Sequence, residues 1–198
     1  MKSQRISLAA ALAAAAGCLF LSSPANAGPL SIVDVNAPAI NCVFNPACKV
    51  VVDDSVGTFT VPTDTGEARL QTRTYPGVAP APGVGTMAYE YRMDLTSVTG
   101  KNCISKMVLN FGPVAPLPYK PTAVFDVYVV TSGGLGTVGL GSALQAGSAI
   151  EFNFVKPVCP GDTSYFFGLA SKLMPPKPSS AHVFHTLGGA QAVAVRVP

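Results

Sequence analysis

Apolar and polar residues alternate most regularly between Met87 and Val98. Met87, Tyr89, Tyr91, Met93 and Leu95 fall on one parity, and Ala88, Glu90, Arg92, Asp94 and Thr96 on the other. Successive side chains of a strand point to opposite faces, so the pattern predicts a long strand with one face in a core and one in water. A second run, Cys103–Phe111, follows a short connection containing Gly100. The two runs are expected to pair as an antiparallel hairpin.

The rest of the chain reads in the same terms. Lys49–Asp53 and Thr58–Pro62 are predicted as short strands either side of a turn near Gly57, and Glu67–Tyr75, polar on both faces, as an edge or rim strand. Pro76–Gly85 holds three prolines and three glycines and reads as an extended loop, as does Pro113–Pro121. Ala123–Thr131 is apolar on both parities and is expected to be buried on both sides. In Ala149–Val155, Ile150, Phe152 and Phe154 point inward and Glu151 and Asn153 outward. Ser164–Ser171 carries Tyr165, Phe167 and Leu169 on one parity, and a third proline loop, Met174–Pro178, leads to strands at Ala181–Leu187 and Ala190–Val197. With about ten strands, no amphipathic helix and prolines at the connections, the expected fold is all-β: a single antiparallel β-sandwich, jelly-roll-like or Ig-like, over residues 28–198.

Residues 1–27 stand apart from that pattern. Lys2 and Arg5 precede the apolar run Ile6–Leu21, and Ala25-Asn26-Ala27 forms a small-residue cleavage site before Gly28. The run is shorter than the roughly 20 residues a membrane span needs, so it reads as a secretory signal and the mature chain as lacking a transmembrane segment. The expected location is periplasmic or extracellular. Gly17-Cys18 offers an alternative, lipid attachment at Cys18, although Ala15 stands where the usual leucine of such a site would be.

Charge changes the picture once the signal is removed. Without Lys2 and Arg5 the chain keeps 11 basic against 10 acidic residues, a net charge of +1. No basic cluster remains for phosphate contacts, so nucleic acid is not an expected partner. Four cysteines remain: Cys42, Cys48, Cys103 and Cys159. An even number in an exported chain reads as disulfides. Cys42–Cys48, around Pro46, with Cys103–Cys159 is the favoured pairing of the three possible. Cys103 shares parity with Met107, Leu109 and Phe111 and so is expected to face the core.

Candidate chemistry is sparse. Gly134-Leu-Gly136-Thr-Val-Gly139 matches the dinucleotide-binding glycine pattern, but that site needs a helix opening at its third glycine. Here Gly141 and Gly147 leave space for little more than one helical turn, so a glycine-rich loop is the better reading. His182 and His185, three apart on a strand, point to opposite faces and cannot jointly hold a metal without a bulge. Asp53-Asp54 and the Asp64–Glu67 turn could supply oxygens to calcium, yet each reads as ordinary solvated turn carboxylates. No G-x-S-x-G or H-E-x-x-H motif occurs. No catalytic residue, metal site or cofactor is assigned.

Aromatic residues are the remaining recognition candidates. Tyr75, Tyr119, Tyr128 and Tyr165 could line a carbohydrate platform; Tyr75 and Tyr119, in or beside proline loops, are the chosen ligand contacts, although tryptophan is absent. The expected function is therefore a non-enzymatic surface, matrix or ligand-recognition role, with a cell-surface glycan or an envelope protein as partner. The alternatives are a secreted hydrolase or carbohydrate-active enzyme with a dispersed site, and a periplasmic carrier of a small apolar ligand.

Overall fold

A computed structural model describes residues 27–172 and 175–198. The export signal, apart from Ala27, and Cys18 lie outside the described residues. No helix among the described residues is long and apolar enough to cross a membrane.

In chain order the elements are β1 (Gly28–Pro29), β2 (Ile32–Asp34), a short helix α1 (Ala39–Cys42), β3 (Asp53–Phe59), β4 (Thr65–Gly66), β5 (Ala68–Pro76), β6 (Met87–Asp94) and β7 (Val98–Thr99). There follow β8 (Ile104–Asn110), β9 (Leu117–Lys120), β10 (Ala123–Phe125), β11 (Val127–Val129) and β12 (Leu140–Ala146). The last are β13 (Ala149–Val158), β14 (Phe167–Ser171), β15 (Lys177–His185) and β16 (Ala190–Val197). One six-stranded sheet has the order β1-β12-β13-β8-β15-β16 and the other β2-β11-β14-β6-β5-β3. Every pair in them is antiparallel except β2 with β11, which run parallel. Two small ribbons, β9 with β10 and β4 with β7, complete the pairing. The chain is nearly all-β, as its alternation predicts.

One apolar cluster lies between the six-stranded sheets. Tyr89, Tyr91 and Met93 of β6 enter it from one side, Met107 and Leu109 of β8 and Phe152 of β13 from the other. Phe152 meets Phe167 of β14 at 4.9 Å and Tyr91 at 6.4 Å, and Tyr89 meets Phe111 edge-on at 5.3 Å. Such pairs each add about 0.5–1.5 kcal/mol beyond burial of their area.

This arrangement corrects the expected hairpin. β6 pairs with β5 and β14, while β8 lies in the other sheet between β13 and β15. Both strands aim their apolar parity at one core, which parity alone cannot distinguish from pairing side by side. The connection is longer than the two to five residues of a hairpin loop, and it spans the roughly 10 Å between stacked sheets. Val98–Thr99 within it pairs with β4.

Other strand assignments also differ from expectation. Asp53–Phe59 is one strand running through Gly57, with no turn there. A Cβ at Gly57 would lie 2.2 Å from the carbonyl oxygen of Ala194, so the missing side chain lets β3 approach β16 closely. β5 is interior, lying between β3 and β6. It reads as polar on both faces because Thr72 and Thr74 occupy inward, buried positions. β12, read from sequence as loop and turn, is a strand beside β13. The β9–β10 ribbon likewise takes up part of the second proline loop, and Ala123–Thr131 divides into β10 and β11.

Both predicted disulfides are present, Cys42–Cys48 and Cys103–Cys159. They fit an oxidising, non-cytoplasmic compartment. Cys103 itself is half-buried rather than in the core. β8 pairs with β15 through a register shift, so that Ile104 opposite His185 and Met107 opposite Val183 both point inward. That shift breaks the parity on which the expectation for Cys103 rests.

The largest departure concerns the second face of β6. Ala88 is fully buried and Glu90 is 1 % exposed, on the parity expected in water. A second apolar cluster covers them. Ile40, Val43 and Phe44 from α1 and its continuation pack on Tyr75, Ala88, Tyr128, Val130 and Ala170 of the sheet's outer face. The first proline loop is tied onto the same cap, with Val78 N–H donating to Phe44 O at 2.7 Å and Gly83 N–H to Val43 O at 2.8 Å.

Candidate functional site

At the margin of this cap the outer face of the sheet changes from apolar to charged. Strand register sets one row across it: Tyr128 of β11, Gly168 of β14, Glu90 of β6, Arg73 of β5 and Asp54 of β3. The next row carries Arg92 beside Gln71. Phe166, just before β14, has the Arg73 guanidinium over its ring at 4.3 Å and that of Arg92 at 5.3 Å. Gly168 makes space for the glutamate, since a Cβ there would lie 3.0 Å from Glu90 Cγ.

A cavity of about 210 Å³ opens at this margin. Its apolar wall includes Pro38, Ile40, Val130 and Phe166, and its polar groups are Asn41, Arg73 and Glu90. The Tyr75 hydroxyl donates to Glu90 Oε1 in a short hydrogen bond and also lies 3.4 Å from Asn41 Oδ1. Arg73 is already engaged: its Nε–H donates to Asp54 Oδ1 at 3.1 Å, an oxygen that also accepts from Gln71 Nε2 at 3.2 Å.

Burial is the main influence on the Glu90 carboxyl and pushes it up to about 7, against the lowering effects of the Tyr75 hydrogen bond and the Arg73 charge. Asp54 adds to the rise. The Tyr75 hydroxyl is raised as well, first by its burial and then by the neighbouring Glu90. The pocket floor is thus a carboxyl that changes charge near neutrality, held by a neutral phenol.

The structure joins the two tyrosines chosen from sequence through one aromatic chain. Tyr75 meets Phe44 at 5.6 Å, Phe44 meets Tyr128 at 6.0 Å, and Tyr128 meets Tyr119 at 6.4 Å. Tyr75 is 2 % exposed, so its hydroxyl, through Glu90, is what reaches the pocket. Tyr119 is half-buried, outside the pocket lining. Glu90, Arg73, Asn41 and Phe166 were not legible as a group. Their only sequence signal is indirect: a short disulfide loop and a proline-rich loop with the composition to pack on a sheet.

Other candidates have different settings. His182 is exposed and His185 buried, on opposite faces of β15. Neither ring nitrogen of His185 has a hydrogen-bond partner among the described residues, and burial holds its imidazole below the usual histidine range, with Asp64 acting the other way. The carboxylates weighed as calcium ligands are committed locally. Asp64 accepts from the backbone N–H of Lys101 at 3.1 Å and of Asn102 at 3.0 Å, Asp53 pairs with Arg196, and Glu67 lies 3.5 Å from Arg69. Among the described residues no three His, Cys, Asp or Glu side chains come together as metal ligands. The glycine pattern leads into β12 rather than a helix, and its Gly134 packs near Val130 and Ala37 at the pocket.

No protein-family model matches the chain, and no significant match to a curated protein or a solved structure was found.

Proposed function

We propose that the protein is an exported β-sandwich that acts by recognising a ligand end group in the Glu90 pocket, without catalysing a reaction. The observation that carries this reading is the convergence of a buried carboxyl, an amide and a guanidinium on one small, mostly apolar cavity. Concave apolar sites with a few fixed polar groups are the usual form of a binding site. At about 210 Å³ the cavity falls below the roughly 300–1,000 Å³ that takes a whole drug-sized molecule, which suits the tip of a larger ligand. A cell-surface glycan or an envelope protein would present such a tip. Two six-stranded sheets around a shared apolar cluster support the sandwich, and two disulfides support export.

The alternatives fit this pocket less well. A glycosidase of the usual kind needs two carboxyls flanking the bond it cleaves. Asp54, the neighbour in the same row, is committed to Arg73 and Gln71. A wholly apolar cargo would cover the polar groups of Glu90 and Asn41 at the pocket without offering them hydrogen-bond partners.

The test is two-dimensional NMR on disulfide-bonded protein expressed as the full chain in an exporting host, titrated with monosaccharides, amino sugars and short peptides. Saturable shifts centred on Asn41, Arg73, Glu90 and Phe166 are expected. Saturable shifts confined to the other sheet, around Lys106 and His182, or no saturable response at all, would overturn the assignment.

A further inference from the structure

We propose that the Glu90 pocket takes a primary ammonium group carried on an apolar stem, the ammonium pairing with the Glu90 carboxylate. This rests on the recognition reading above and names its ligand class.

Glu90 is the one buried carboxylate among the described residues, at 1 % exposure, and like the more exposed Asp34, Asp64 and Asp126 it has no ion-pair partner. The groups facing it can be taken element by element. β5 contributes Arg73, whose Nε is on Asp54 and whose guanidinium lies over Phe166, and also the neutral Tyr75. β3 contributes Asp54, and β6 itself contributes Arg92, which lies 3.5 Å from Asp94. α1 contributes the Asn41 amide, and β14 contributes Gly168 without a charge. No cation is dedicated to the carboxylate, although an ionised carboxylate out of water is costly unless paired. The cavity leads to that unpaired group.

The geometry also selects among ligands. An anion would meet the Glu90 charge, while the Arg73 that might hold it is already engaged. A guanidinium binds best to two coplanar carboxylate oxygens, and here Oε1 is already taken by the Tyr75 hydroxyl. An ammonium is a compact point charge with three donors and needs only one such oxygen. Asn41 Oδ1, held loosely by Tyr75 at 3.4 Å, is a second acceptor at the pocket. Pro38, Ile40, Val130 and Phe166 give the stem an apolar wall. When the carboxyl enters protonated, binding releases one proton to solvent and leaves the ammonium paired with the carboxylate.

The proposal is tested by titrating the full-chain, disulfide-bonded protein with n-butylammonium and cyclohexylammonium, and with butanol and cyclohexanol as neutral counterparts. NMR and calorimetry in buffers of different ionisation enthalpy would follow binding and proton release. The ammonium probes are expected to bind at the pocket, to release a proton below neutrality, and to lose about thirtyfold or more in affinity in Glu90→Gln. Amine affinity in the unmodified protein should fall about tenfold per pH unit below the Glu90 titration, while alcohol binding stays level. That second readout decides the matter if Glu90→Gln does not fold. Equal binding of alcohols and amines, or amine affinity unchanged between pH 5 and 7, would overturn the ammonium assignment and leave the recognition reading standing. If none of these probes binds and the wider ligand panel also fails, both readings are lost.

Discussion

Replacing Glu90 with glutamine should change how stability depends on pH more than it changes the fold. Glutamine keeps the shape and still accepts from the Tyr75 hydroxyl, but it carries no titrating charge. In the folded protein the Glu90 carboxyl titrates near 7, against a reference value of 4.5. Between those values the native state holds a proton that the unfolded chain has released. Stability from this group is therefore complete below about pH 4.5, falls as pH rises, and is lost above about pH 7. Each pH unit in that window costs about 1.4 kcal/mol, so the loss is about 3 kcal/mol in total. No reduction for solvent screening applies to a side chain 1 % exposed. Urea denaturation at pH 4, 5.5, 7 and 8.5 measures this, provided the m-value stays constant. Asp94 and Glu151, both held below the usual carboxylate range, contribute the opposite slope but occur in both proteins and cancel in the difference. Relative to the parent, Glu90→Gln should gain about 3 kcal/mol between pH 4 and pH 8.5. A difference that stays flat over that range, or grows as pH falls, would refute the reasoning.

Three further outcomes follow from the packing. His185→Leu removes two buried ring nitrogens without partners, so its stability relative to the parent should rise as pH drops below 6.5, where the unfolded histidine takes up a proton that the buried one resists; acid melts of the two proteins check this. Gly57→Ala puts a methyl group 2.2 Å from the Ala194 carbonyl and should cost about 1–3 kcal/mol by forcing β3 away from β16, read as a lower urea midpoint. Opening Cys103–Cys159, which spans 56 residues, should cost about 4 kcal/mol on the chain-entropy model, against about 2 kcal/mol for Cys42–Cys48, which spans 6; paired cysteine-to-serine variants measure both. The shorter bridge should matter more for the pocket, because it anchors the segment carrying Asn41 and Phe44.

How far the site was legible follows from which interactions are local. The inward parity of β6, β13 and β14 was readable because period-two alternation is a property of neighbouring residues. Glu90 carries the same local signature as Arg92 two residues on, yet one is buried and the other partly exposed. The difference comes from α1, which lies far from it in sequence, and from the first proline loop, which is tied to the α1 segment. Thr72 and Thr74 misled for a related reason. A β-branched threonine fits a strand facing either way, and only the neighbouring strands decide which face is covered.

By itself, the sequence determined that the chain is nearly all-β, where its most regular strands lie, and that its four remaining cysteines form two disulfides. Alternation, turn residues and an even cysteine count act over short stretches or leave few combinations. Tertiary structure decided that β6 and β8 lie in different sheets, that Gly57 lets two edges meet, and that Glu90 lies under a cap beside a cavity. Each of these depends on surfaces meeting across long sequence separations, where burial, rather than residue type, determines whether a carboxylate is a solvated surface charge or the floor of a pocket.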